Sequence, residues 1–95
     1  MDKEKILNEI NERIEMLEAI KVSVSEAYDR NIILGKLEAL KAIKLETEIL
    51  DMNPHDLAIL LEKKFEKREL GINGKYVREG FEAIINEYKN KFKKD

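Results

Sequence analysis

Cysteine and tryptophan are absent, histidine and proline occur once each, and glycine only four times. Each scarcity excludes something. Without cysteine there is no disulfide framework, no thiolate nucleophile and no Cys-based zinc or iron–sulfur centre. One histidine cannot supply a His-rich metal site. The longest unbroken apolar run, residues 57–61, falls far short of the ~20 residues that span a bilayer. The opening Met1-Asp2-Lys3-Glu4-Lys5 lacks the apolar stretch of a signal peptide. The expectation is a cytoplasmic protein with no membrane partner.

What is present is charge and helical periodicity. The chain has 95 residues, 40% charged and 43% hydrophobic, with 18 basic and 20 acidic side chains. That suits one small domain with a modest core. No repeat, low-complexity tract or Gly/Ser linker divides it. Over residues 2–22, Ile6, Leu7, Ile10, Ile14, Leu17 and Ile20 recur at helical spacing. Lys21 then falls on the apolar stripe and argues for an end. Ser23 and Glu26 have the spacing of a capping box, which places a second helix over 24–51; a single helix running through Ser23 is the alternative.

The second helix carries Tyr28, Ile32, Ile33, Leu37, Leu40, Ile43 and Leu50 on one face. Leu34, Leu45 and Ile49, with Ala27 and Ala42, lie largely outside it. An apolar arc this wide implies burial on more than one side, in a central helix or at a subunit interface. Asn53-Pro54-His55-Asp56 is the clearest boundary: an N-cap, a proline at the first helical position and an acid at the positive end of the dipole. The third helix is expected over 54–70, with Leu57, Ala58, Leu60, Leu61 and Phe65 inward and Gly71 in the left-handed terminating position. The fourth is expected over 74–92, with Val77, Phe81, Ile84, Ile85, Tyr88 and Phe92 on one stripe. Gly80 weakens that helix by roughly 1 kcal/mol relative to alanine and could admit a neighbouring helix closely. Lys93-Lys94-Asp95 are expected to fray. Four helices with short connections and no period-two alternation define an all-α, antiparallel four-helix bundle. A bundle of this size buries only about 60–65% of its unfolded surface, and dimerisation could complete it.

No catalytic or metal constellation emerges. The carboxylates fall mostly on polar helix faces. Di-metal bundle sites use Glu-x-x-His pairs, and no glutamate stands three residues before His55. His55 has only Asp51 and Asp56 nearby and reads as an exposed helix-start residue. Gly71-Ile72-Asn73-Gly74-Lys75 lacks the spacing and preceding strand of a phosphate loop. The expectation is a protein that is not an enzyme and takes no cofactor.

Two binding readings compete. Residues 57–92 could form a helix-turn-helix, with Lys75, Arg78, Lys89 and Lys91 as nucleic-acid contacts. Residues 1–53 carry 8 basic and 12 acidic groups and residues 54–95 carry 10 and 8, so the halves differ as −4 and +2. Against it, Lys67 stands where such motifs pack a small residue, and Glu79, Glu82 and Glu87 would face phosphates. The favoured reading is a protein-binding surface made of Ala27, Leu34, Ala42, Leu45, Ile49 and, on the third helix, Ile59. Its partner would be a second copy, as a homodimer, or a foreign protein. The same Leu34 and Leu45 could instead contact both neighbours within the core.

The Ile/Lys/Asn/Glu-heavy helices and the segment Tyr28-x6-Gly35-x2-Glu38-Ala39-Leu40-Lys41-Ala42-Ile43 resemble the small accessory proteins of bacteriophages and prophages. That resemblance covers the first two helices, about half the chain. It implies a non-enzymatic inhibitor, adaptor or regulator acting on a host protein, and it transfers no functional residue.

Overall fold

The computed structural model describes residues 3–91, so the expected placement of Phe92 and the fraying of residues 93–95 lie outside the described residues. Four helices follow one another: α1 (Lys3–Ser23), α2 (Ala27–Leu50), α3 (Pro54–Glu66) and α4 (Lys75–Lys91). They form a small four-helix bundle, with no strand among the described residues.

Side-chain pairs fix the directions. Lys3 meets Asp51 at 3.3 Å, which sets the start of α1 beside the end of α2. Arg13 pairs with Glu87, and Lys91 with Glu9, so α1 also runs against α4. His55 reaches the Lys89 carbonyl, and Phe65 stacks on Phe81, which makes α3 antiparallel to α4. Helices α2 and α4 are therefore parallel, the diagonal pair of an up-down-up-down bundle.

That diagonal is closed. A Cβ on Gly35 would overlap the carbonyl of Val77 and come within 2.8 Å of the Phe81 nitrogen. A Cβ on Gly80 would overlap the carbonyl of Ile32 and come within 2.8 Å of its carbon. The two backbones touch, and only hydrogen fits at either position. Past the crossing, α2 buries Ala39, then Ile43 and Thr47, while α4 buries Ile84, Ile85 and Tyr88. Ile6 and Ile10 of α1, and Leu57, Ala58 and Leu61 of α3, complete the buried core. Beyond Ile6 and Ile10, α1 buries nothing fully; Ile14 and Leu17 are only half-buried.

The boundaries differ from the sequence expectation at three ends. The Ser23–Glu26 capping box does not form. Ser23 closes α1 by donating its hydroxyl to the Ile20 carbonyl at 3.0 Å. Glu26 stands at the N-cap of α2 in extended conformation without a side-chain cap bond. At the other end of α3, the helix stops at Glu66 rather than Leu70. Arg68, not Gly71, takes the left-handed conformation, at φ 58°. The Arg68 amide donates to the Phe65 carbonyl and the Glu69 amide to that of Lys64, the bonding pattern of a Schellman termination. The start of α3 agrees with the expectation, since the Asn53 side chain accepts from the His55 amide at 2.8 Å. Tyr28 and Leu50, placed inward from periodicity, are 47% and 46% exposed at the two ends of α2.

Two predictions follow from the backbone. Gly35→Ala and Gly80→Ala should each destabilise the chain by about 3 kcal/mol, because the overlap with backbone atoms outweighs the ~1 kcal/mol that alanine adds to helix propensity. Urea unfolding followed by circular dichroism checks this, and a raised midpoint would show the helices are apart. Arg68→Gly should raise stability by about 1 kcal/mol, since glycine adopts the left-handed conformation without a Cβ penalty; the same unfolding curves read it.

Candidate interaction surface

The inward side of α2 is consumed by the bundle: Ile33, Leu37, Ala39, Leu40, Ile43 and Thr47 are all buried. Its outer side is not polar in compensation. Leu45 is 54% exposed and Ile49 is 67% exposed. With half-buried Ala42 they stand at i, i+3 and i+7, one row along the helix. Beside that row, Ile14 of α1 and Lys41, Lys44, Leu45 and Glu48 of α2 line an open groove. Leu34 is half-buried two turns nearer the amino terminus of α2, Ala27 is exposed at its first residue, and Ile59 is half-buried on α3. Of the six residues named from the sequence, the structure thus brings Ala42, Leu45 and Ile49 together on one exposed row. Leu34 is separated from the row by exposed Glu38 one turn before Ala42, and Ala27 and Ile59 stand apart from it.

The charges around this face are organised. Glu18 accepts from Lys21 at 3.0 Å and from Lys41 at 3.1 Å. Those two hydrogen bonds hold its carboxyl below the usual carboxylate range. Lys3 donates to the Glu48 carbonyl at 3.4 Å while pairing with Asp51.

The opposite seam, where α1 meets α4, is closed by long side chains. Arg13 grips both carboxylate oxygens of Glu87, its second nitrogen at 3.1 Å, and lies 5.8 Å from the centre of the Tyr88 ring. Burial works against the Arg13 charge, but hydrogen bonds to Glu87 and Tyr88 outweigh it, and its pKa stands above the ordinary value. Burial pushes the Tyr88 phenol up as well, against the pull of the guanidinium.

The basic residues named for nucleic acid each meet a partner within the chain, with Arg78 and Lys89 half-buried and Lys75 and Lys91 exposed. Lys89 pairs with Glu62 at 2.7 Å and Lys91 with Glu9. The Arg78 guanidinium lies 4.5 Å from the centre of the Phe65 ring, and the Lys75 ammonium lies 5.5 Å from that of Tyr76. His55 is not the free helix-start residue expected. It is half-buried, and its Nδ1 stands 2.6 Å from the Lys89 carbonyl, an acceptor that requires the proton on that nitrogen. Among the described residues, no group of three acidic, histidine or cysteine side chains is placed to hold a metal ion. No described helix is long and apolar enough to cross a membrane.

Sequence reasoning missed two exposed apolar residues of α1, Met16 and Val22, at 62% and 85% exposure, and it set Ile20 on the apolar stripe although Ile20 is 42% exposed. Met16 and Val22 sit off the Leu7–Ile14 stripe, which was the available signal. It also missed the Tyr28–Tyr76 pair, with ring centres 5.6 Å apart. No protein-family model, curated protein or solved structure matches the chain.

The Tyr88 environment predicts an alkaline limit. Its pKa is raised in the folded chain, so the stability it contributes is complete below the unfolded phenol value of about 10 and is lost as pH rises through the folded value. Tyr88→Phe should therefore flatten the decline in urea midpoint above about pH 10, measured as midpoint against pH for both chains.

Proposed function

We propose that this chain is a non-enzymatic, all-helical interaction module that presents the outer face of α2 to a protein partner. The role implied by its resemblance to phage and prophage accessory proteins, an inhibitor or adaptor of a host protein, is consistent with such a face. One observation carries the reading. Leu45 and Ile49 expose more than half of their surface on the very helix whose other side is sealed in the core. Isolated exposed apolar residues are ordinary, but a row of them beside an apolar groove is the pattern of a docking site. Helical faces of this kind engage a partner helix through anchors at i, i+3 and i+7.

Binding to nucleic acid is less well supported. The 67–74 connection is longer than the turn of about 3–4 residues in a helix-turn-helix. Gly80, Phe81, Ile84 and Ile85 of the supposed recognition helix are buried. Two of its four named cations already hold carboxylates of this chain.

The double variant Leu45→Glu plus Ile49→Glu tests the proposal. Both positions are exposed, so stability should change by no more than about 1 kcal/mol, while cross-linked capture in the native host loses the partner that the wild-type chain recovers. Unfolding of the variant, or recovery of the same partner by both chains, would overturn it. Salt-dependent retention on random duplex DNA would instead favour the nucleic-acid reading.

A further inference from the structure

Resting on the reading of α2 as the docking face, we infer that its occupant is a second copy of this chain, with the two α2 helices antiparallel across a two-fold axis at Leu45.

The face is complementary to itself in shape and in charge. In an antiparallel pair of helices centred on one residue, positions equally far before and after that residue lie at the same level. Leu45 then meets Leu45 of the second copy. Ile49, four residues after the centre, stands over Ala42, three residues before it. A large exposed side chain thus opposes a small half-buried one, twice by symmetry. An isologous interface requires this reciprocity, in which a contacts b and b contacts a.

The flanking charges obey the same rule. Lys41 and Glu48 are both exposed and both lie on the α1 side of the row, where they border the groove with Ile14. When two helices pack antiparallel, like flanks meet. Lys41 of one copy therefore comes alongside Glu48 of the other, and Glu48 alongside Lys41. A parallel pairing would instead bring unlike flanks together, setting Lys41 beside Ala42 and Glu48 beside Ile49 and leaving both charges without an opposite partner across the interface. The charge order selects the antiparallel arrangement. Lys41 already leans on Glu18 at 3.1 Å, so the new pairs extend an existing line of alternating charge.

The overlap spans about three turns of α2 in each copy and leaves the α1–α4 seam untouched. Stable dimers bury roughly 1,200–2,000 Å² in total, and an overlap this short belongs at or below that range. A reversible dimer with micromolar affinity is expected.

Sedimentation equilibrium on the full chain, run over a range of concentrations, tests this with a charge exchange. The wild type should pass from the 11.1 kDa monomer to a species of twice that mass as concentration rises. Lys41→Glu alone and Glu48→Lys alone should each weaken association about tenfold or more, because two attractive pairs become two repulsive ones. The double variant Lys41→Glu plus Glu48→Lys should restore it, since the pairs re-form with their signs exchanged. The restoring arm separates this reading from loss of the Glu18 contact, which the double variant also lacks. A wild type that stays monomeric throughout, or a dimer indifferent to both single changes, would overturn the pairing. A monomeric wild type whose captured host protein is lost with Leu45→Glu plus Ile49→Glu would overturn the second copy as occupant while leaving the docking face in place. Mass and capture that both ignore that variant would overturn the two readings together.

Discussion

Contact between two backbones, made where Gly35 and Gly80 offer only hydrogens, organises everything else in this bundle. In an ordinary up-down-up-down arrangement the diagonal helices stand apart and side chains fill the space between them. Here α2 and α4 touch near their amino-terminal halves, and the core opens only beyond that point, through Ala39 and then Ile43 and Tyr88. The widening accounts for the uneven use of α1, which buries Ile6 and Ile10 at the wide end and leaves Met16 and Ile20 to solvent. It also explains how so small a chain keeps an apolar face to spare. With α4 already against α2 at the closest distance helices reach, Leu45 and Ile49 on the outer side of α2 stay exposed.

Much of this was legible beforehand, for reasons that can be located. Asn53 and Pro54 act on their own local backbone, so the start of α3 could be read directly and the Asn53–His55 bond is present. Gly80 could be read as a point of close approach, because glycine within a helical pattern has few other uses. Its counterpart Gly35 could not be paired with it, since the pairing depends on tertiary geometry. The end of α3 was misread for a similar reason. Gly71 was the residue suited to a left-handed turn, but Phe65 must stack on Phe81 and Leu70 must fold back on the core. The chain therefore turns earlier, at Arg68, and accepts the conformational strain. The capping box failed because α1 runs on through Ser23, whose hydroxyl donates to the Ile20 carbonyl, so Ser23 ends one helix and Glu26 takes the N-cap of the next.

The outer row posed a different difficulty. Periodicity places Leu34, Leu45 and Ile49 on the second stripe of α2 without saying whether another helix covers it. Only the positions of α1 and α4 decide that Leu34 is half-covered while Leu45 and Ile49 are open. Cations were equally ambiguous. Lys89 and Lys91 look like surface charges in the sequence, yet each closes a seam between helices.

The paired glycines also bear on ancestry. Surface charges, loop residues and even the apolar row can drift, since each has several acceptable replacements. A position flanked by a neighbouring carbonyl has none. Any descendant that retains this architecture must keep both hydrogens, forty-five residues apart by their numbering, and a lineage that lost one would have to rebuild the bundle around a wider diagonal. That two-point spacing, more than any chemical motif, is the mark by which distant kin could be recognised.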